Sequence, residues 1–390
     1  MIAELQTGQC FDQVRSLSTN ALPIPEDGWD SVKFVRREYS KTKVDKAGEI
    51  LASRGLWVAE RMRVLPIINN WRSCHAYPLQ CYYVTLNKRA QSIDQHAAVA
   101  QRMKRLVSIT SKLERNRPTP DNPDREKMKL TQMQDIGGCR AILSTVKTAR
   151  ELVAHYMTNR YTEDPYRIRD YVANPKPDGY RCIHLVYRYH SMSRSTTRSE
   201  LLKGYEGLRI EIQIRSRLQH LWATAVEIVD IFTGQEIKTG KGKDDWKRFL
   251  LLMANDIAAR ERCPLIDDAP TNLRELREEL RHYIDSLNVY SVMEGWTASV
   301  NYINPKDLKI AESVVLELNP NTRELTMYFY DRENLKAADK QAYELERQHE
   351  DDDVQVVRIS TDSIRSLKSA YPNFYLNSSS FLAAVRRAVS

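Results

Sequence analysis

No apolar run in this 390-residue chain approaches membrane-spanning length. The opening residues MIAELQTGQCFDQ have neither a basic start nor the apolar stretch of a signal peptide, so the chain is expected to stay in the cytoplasm with no membrane partner. The six cysteines (Cys10, Cys74, Cys81, Cys139, Cys182 and Cys263) include no Cys-x-x-Cys pair and no metal-ligand spacing, which excludes a disulfide framework or a zinc cage and predicts reduced thiols. The one string that approaches a phosphate-binding glycine loop, GQEIKTGK from Gly234 to Lys241, has the wrong spacing and no Ser or Thr after its lysine. Internal repeats are absent as well.

What is present is a basic, mixed α/β chain. Lys and Arg number 59 against 51 Asp and Glu, a net charge of +8, and residues 291–390 hold 15 acidic and 12 basic residues, so the positive surplus lies wholly in front of them. A basic body suits a polyanion such as a nucleotide or RNA. Character changes near Ser291, which divides the chain into a body at 1–265, a helical linker at 266–290 and a separate domain at 291–390. In the body, apolar spacing predicts one long helix from Gln91 to Asn116, then a β-α step from MQDIGGCRAILS into KTARELVAHYM, and a period-2 strand at LRIEIQIRS. Helices are expected over about 218–232, 246–262 and 271–290. In the tail, ESVVLEL and ELTMYFY read as a hairpin joined by NPNTR, followed by a charged helix, the strand VQVVRIS and two short helices.

Strand LRIEIQIRS separates its chemistry by face. Ile210, Ile212 and Ile214 point one way, while Arg209, Glu211, Gln213 and Arg215 point the other. A carboxylate among guanidiniums can hold magnesium beside phosphates, although such a face is more often merely solvated. Asp135 lies at a glycine-broken turn just ahead of Arg140. It reads as a local cap, or, paired with Glu211 on a neighbouring strand, as half of a magnesium clamp. Arg102, Lys104 and Lys112 add cations that can line a triphosphate. In RDYVANPKPDGYRCIHLVYRY, Pro175 and Pro177 stiffen a bend that Gly179 allows to turn, which predicts that Lys176 and Tyr180 are presented to a ligand.

Four motifs in order, RMKRLVSITSKL, QDIGGCRAI, DYVANPKPDGYRCIH and IEIQIRSRLQHLWATAVE, resemble the synthetase domain of the RelA/SpoT family of nucleotide pyrophosphokinases. The resemblance implies a nucleotidyltransferase-like mixed sheet flanked by helices and transfer of the β,γ-diphosphate of ATP to a ribose hydroxyl. It further implies that Arg102, Lys104, Lys112 and Arg140 bind ATP, that Asp135 and Glu211 hold Mg2+, and that Glu211 also serves as base. Tyr180 would stack on the acceptor base, with Lys176, His184, Gln213 and Arg215 beside the acceptor. No His-Asp dipeptide occurs, so the hydrolase half of the long members is not expected. Asp178 stands where guanosine-accepting members commonly carry Asn.

NNWRSCHAYPL and LQHLWATAVE resemble the toxic branch of small members, whose acceptor is the 3′ end of tRNA. The tail resembles the zinc-finger-like domain of the CapRel fused toxin-antitoxins, here without zinc ligands. That likeness implies an antitoxin domain whose aromatics, here Tyr371, Phe374 and Tyr375, plug the ATP site until a phage major capsid protein binds. Two other functions fit the same sequence: a guanosine alarmone (p)ppGpp synthetase acting on GDP or GTP, and an inactive RNA-binding module.

Overall fold

A computed structural model describes residues 2–5, 35–53, 58–118, 126–158, 165–191, 202–233, 243–303, 310–319, 322, 324–349, 354–361, 364 and 374–390. The chain runs β1 (Ile2–Leu5), α1 (Lys41–Leu51), α2 (Val58–Ser73), α3 (Ala76–Ile93), β2 (Ala98–Met103), α4 (Leu106–Arg115), β3 (Gly137–Leu143) and α5 (Val146–Thr158). It continues through β4 (Arg167–Asp170), β5 (Ile183–Arg188), β6 (Arg209–Ser216), α6 (Arg217–Thr233), α7 (Lys243–Arg260), α8 (Leu273–Ser286) and α9 (Val289–Tyr302). The tail holds β7 (Ser313–Asn319), β8 (Glu324–Tyr330), α10 (Leu335–Gln348), β9 (Gln355–Ser360) and α11 (Phe374–Val389). No helix among the described residues is long and apolar enough to cross a membrane.

Packing groups these elements into two compact units: 18–171 with 182–216, and 1–17 with 172–181 and 217–390. The first is built on a five-stranded mixed sheet of order β2-β3-β6-β5-β4, in which β3 and β6 run parallel and the other pairs antiparallel. The period-2 reading of β6 holds, since Ile210, Ile212 and Ile214 are all fully buried. A second apolar cluster in this unit joins Val44, Ile68, Trp71, Ile109, Leu130 and Ile136. The outcome is the mixed α/β body expected from the sequence.

One long helix over 91–116 is not what forms. α3 ends at Ile93, β2 occupies Ala98–Met103, and α4 starts at Leu106. Asp94 stops α3 by turning its carboxylate to the backbone N–H groups of His96 (3.0 Å) and Ser144 (2.6 Å). Ala98–Met103 then gain a ladder of hydrogen bonds along β3, and that pairing outweighs their helix propensity.

The second unit carries an antiparallel sheet of order β1-β8-β7-β9. The hairpin read from ESVVLEL and ELTMYFY is β7 and β8, paired from Ser313 opposite Tyr330 to Asn319 opposite Glu324. Its core runs from the helices into the sheet through Phe232, Phe249, Trp296, Val314, Ile359 and Phe381. The change of composition near Ser291 falls inside α9, because Val289, Val292, Met293, Trp296 and Val300 are buried at helical spacing straight through it. The last helix, α11, is one element of 16 residues.

Candidate active site

The register of the first unit's sheet decides which side chains share a face. Across β2, β3, β6 and β5 one row reads Arg102, Gly138, Glu211, Val186, and the next reads Ala100, Arg140, Gln213, His184. Arg102, Arg140, Glu211, Gln213 and His184 therefore stand on the face opposite the isoleucines. Gly138 leaves that face bare between Arg102 and Glu211: a Cβ there would meet nothing closer than the Glu211 carbonyl at 3.6 Å.

Glu211 is held at both oxygens. Gln213 Nε2 donates to Oε2 at 2.8 Å, and the His184 ring, through Nδ1, bonds Oε1 at 3.1 Å. Burial alone would raise the Glu211 pKa, but the hydrogen bond and charge of His184 outweigh it and hold the carboxyl below its usual range. Burial likewise opposes the charge on His184, yet its bonds to Cys182 and Glu211 prevail and push it up to about 10. The pair is an imidazolium and a carboxylate at neutral pH. The ring of Tyr171 meets His184 edge-on at 5.3 Å and fixes its plane.

Asp135 forms the second pole. Lys104 Nζ lies 2.9 Å from Oδ2 and Lys112 Nζ lies 2.8 Å from Oδ1. The two lysines converge by a route that helical spacing does not describe: Lys104 precedes α4 and is tied by its backbone N–H to Ile136 O at 2.7 Å, while Lys112 reaches across from the helix. Burial works to raise the Asp135 pKa, and the two ammonium groups more than reverse it. Asp135 in turn acts on Glu211, raising its pKa through charge, so the two carboxylates belong to one electrostatic site.

Two ionised carboxylates with hard oxygen donors fit Mg2+, which takes one or two protein carboxylates and completes its octahedron with water and substrate phosphates. Among the described residues no three His, Cys, Asp or Glu side chains gather as a metal cage, so the phosphates would have to supply the remaining oxygens. Arg215 is only 2% exposed and is no part of an open bench.

The proline-stiffened loop belongs to the second unit. Gly179 adopts φ 96, where an L side chain is strained, and a Cβ there would stand 2.6 Å from Ala254 Cβ and 2.9 Å from the Trp222 ring. Tyr180 is half-buried against the core of this unit, not simply presented, and Lys176 Nζ sits 4.7 Å from its ring centroid. Asp178 Oδ1 accepts the Tyr180 N–H at 3.0 Å, a turn bond that the oxygen of Asn also makes. Arg181 is the residue that sequence reasoning passed over. It is 3% exposed and donates to the carbonyls of Gly179 (3.2 Å), Ala254 (3.2 Å) and Pro264 (2.8 Å), pinning the loop to the end of α7. Nothing in the string GYRC marks that arginine as inward. Tyr371 lies outside the described residues, and at Phe374 and Tyr375 only the backbone of α11 is described.

Residues 101–229 match the family described as the region found in RelA/SpoT proteins. The match takes in about a third of the chain. It spans β2 to α6 and so contains Arg102, Lys104, Asp135, Arg140, His184 and Glu211. Among curated proteins, a GTP pyrophosphokinase of Photobacterium angustum is 31% identical over 124 residues, 32% of this chain and 13% of that protein. The GTP pyrophosphokinase YjbM of Bacillus subtilis is 34% identical over 92 residues, 24% of this chain and 39% of that protein. The chain thus spans well under half the length of either relative. Among solved structures, the small alarmone synthetase 1 of Bacillus subtilis aligns at 21% identity with a TM-score of 0.38, over 50% of this chain and 92% of that one.

Proposed function

We propose that this chain is an ATP-dependent pyrophosphokinase. The observation that carries the reading is the pair of ionised carboxylates, Asp135 and Glu211, on one electrostatic site with Lys104, Lys112 and His184, inside the RelA/SpoT region. Lys104 and Lys112 would turn from Asp135 to the polyphosphate, with Arg102 and Arg140 on the same sheet face for the rest of ATP. Bound Mg2+, held by Asp135 and Glu211, would neutralise charge on the phosphates and lower the pKa of the attacking hydroxyl. A ribose oxygen then forms a bond to the β-phosphorus of ATP, the bond from that phosphorus to the oxygen bridging to the α-phosphate breaks, and AMP leaves. The hydroxyl proton passes to Glu211, which His184 keeps ionised and aimed.

For the acceptor, our reading is the 3′ ribose of tRNA. The basic surplus before residue 291, Asp178, and the motifs NNWRSCHAYPL and LQHLWATAVE support it. Tyr180 would stack on the acceptor base, with Lys176 beside it. The same reading takes residues 291–390 as a restraining domain released by a phage major capsid protein, on the likeness of the tail to CapRel. A second acceptor, GDP or GTP, is favoured by the names of the two curated relatives, both GTP pyrophosphokinases.

The test is transfer from ATP labelled at the γ-phosphate to tRNA or to GDP and GTP, with wild-type protein and Glu211→Gln. Labelling of one acceptor that vanishes in Glu211→Gln, with the melting temperature kept, is the expected result. Undiminished labelling by that variant would remove Glu211 from the chemistry.

A further inference from the structure

Beyond Glu211 the same sheet face carries a feature that the transfer chemistry leaves unused. Arg188 on β5 and Arg209 on β6 stand directly opposite each other in the register. Like charges at such a pair repel. Between them lies Tyr166, 45% exposed, with the guanidinium carbon of Arg188 3.9 Å and that of Arg209 5.0 Å from the ring centroid. No carboxylate pairs with either arginine among the described residues, and the neutralising contacts they do have are weak. Arg209 Nη1 donates to Gln132 O at 2.6 Å, and each cation lies over the tyrosine ring. A π-face offsets part of one cation and does not neutralise two. The pair is a fixed concentration of positive charge, with planar donors and an exposed ring.

Its position gives that charge a use. Arg209 is two residues before Glu211 on one face of β6, about 7 Å along the strand. Gln132, which holds Arg209, lies three residues before Asp135. An anion bound here sits next to the reacting centre, on the side of Glu211 away from Gln213 and Arg215.

We propose that Arg188 and Arg209, spread across Tyr166, form an anion subsite for phosphate groups of the acceptor. The inference rests on the reading of Glu211 as the centre of transfer. Guanidinium donors match phosphate oxygens in pairs, and the Tyr166 ring keeps the two cations together at one place. The phosphate has two sources, the 5′ polyphosphate of a free nucleotide or the phosphodiester next to the 3′ end of an RNA.

Full-length Arg188→Gln, Arg209→Gln and the double variant separate the possibilities. Equilibrium binding is measured without ATP, to GTP in one arm and to a tRNA acceptor-stem RNA in the other, beside binding of a non-hydrolysable ATP analogue. The double variant should bind one of the two acceptors about tenfold or more weakly, with the ATP analogue within twofold and an unchanged melting temperature. Loss toward RNA assigns the phosphodiester, and loss toward GTP the polyphosphate. In turnover the same variant should raise the KM for that acceptor and leave kcat near wild type, whereas Arg188→Lys, which keeps the charge, should recover part of the loss. Acceptor binding within twofold of wild type in both arms overturns the subsite, as does a parallel fall in ATP-analogue binding. Because binding is read without chemistry, full transfer by Glu211→Gln would sink the functional reading while leaving this measurement standing.

Discussion

Replacing Asp135 by Asn should make metal-free ATP bind more tightly while abolishing transfer. In the protein as it stands, one carboxylate neutralises two ammonium groups, with Lys104 and Lys112 at 2.9 and 2.8 Å. The amide keeps the shape and removes the negative charge, so a triphosphate approaching the lysines meets one more net positive charge. For charges about 6 Å apart, an effective dielectric constant of roughly 20–40 makes this worth about 1.4–2.8 kcal/mol, or about 10- to 100-fold in affinity at low salt. Mg-ATP should show the reverse, since a ligand for Mg2+ is gone. Leaving Lys104 without its counter-ion at a partly exposed site should also cost about 1 kcal/mol of stability. The assay is calorimetric titration with an ATP analogue, with EDTA or with Mg2+, for both proteins. Raising the salt toward 1 M, where the screening length falls to about 3 Å, should shrink the metal-free gain. Weaker metal-free binding by Asp135→Asn than by wild type would show that Lys104 and Lys112 do not hold the triphosphate.

How far the sequence disclosed the site depends on whether a residue's role lay in its own strand. Glu211 was legible because Ile210, Ile212 and Ile214 mark a buried face and leave the polar residues on the other, which the structure repeats. The hairpin β7–β8 was legible from its two apolar runs and the turn string NPNTR between them, although β7 itself is buried at consecutive positions from Ser313 to Leu316. β2 was not. Its residues Ala98–Met103 are mostly exposed on both faces, so no alternation shows, and only the backbone of β3 makes them a strand. β1 pairs with β8 from Ile2 opposite Tyr328 to Leu5 opposite Leu325, but four residues are too few for a periodic signal. Lys104 and Lys112 both fall within the single helix expected over 91–116, whereas they meet through the fold of two separate segments around Asp135. Arg181 was missed because its partners Ala254 and Pro264 are more than 70 residues away, and an inward arginine in a loop has no local signature.

Acid should weaken the first unit through His75. The imidazole is 1% exposed, its Nδ1–H donates to Trp71 O at 2.8 Å, and burial pushes its pKa down to about 4 against an ordinary 6.5. A depressed imidazole favours the folded state above 6.5 and loses that contribution as pH falls toward 4, a change of about 3 kcal/mol. Urea melts at pH 7 and 4.5 should therefore differ more for wild type than for His75→Leu; equal pH dependence would refute the assignment, and Asp135, whose pKa is depressed below 3.8, does not titrate fully in that window. The loop carrying Lys176 and Tyr180 should prove equally dependent on its anchor. Arg181→Met removes three buried hydrogen bonds and leaves the carbonyls of Gly179, Ala254 and Pro264 without that donor, which should cost about 2–3 kcal/mol. Gly179→Ala attacks the same turn from the other side, forcing a Cβ to within 2.6 Å of Ala254 and straining a backbone at φ 96. Both should raise the KM for the acceptor more than the KM for ATP, because Lys104, Lys112 and Asp135 belong to the other unit and keep their mutual contacts. Since the bend is held by α7 within one compact unit, it answers to the helices it packs on as well as to the strands it joins. Equal losses toward ATP and acceptor would contradict that division of labour, and an Arg181→Met protein with wild-type stability would show that the guanidinium is not the pin.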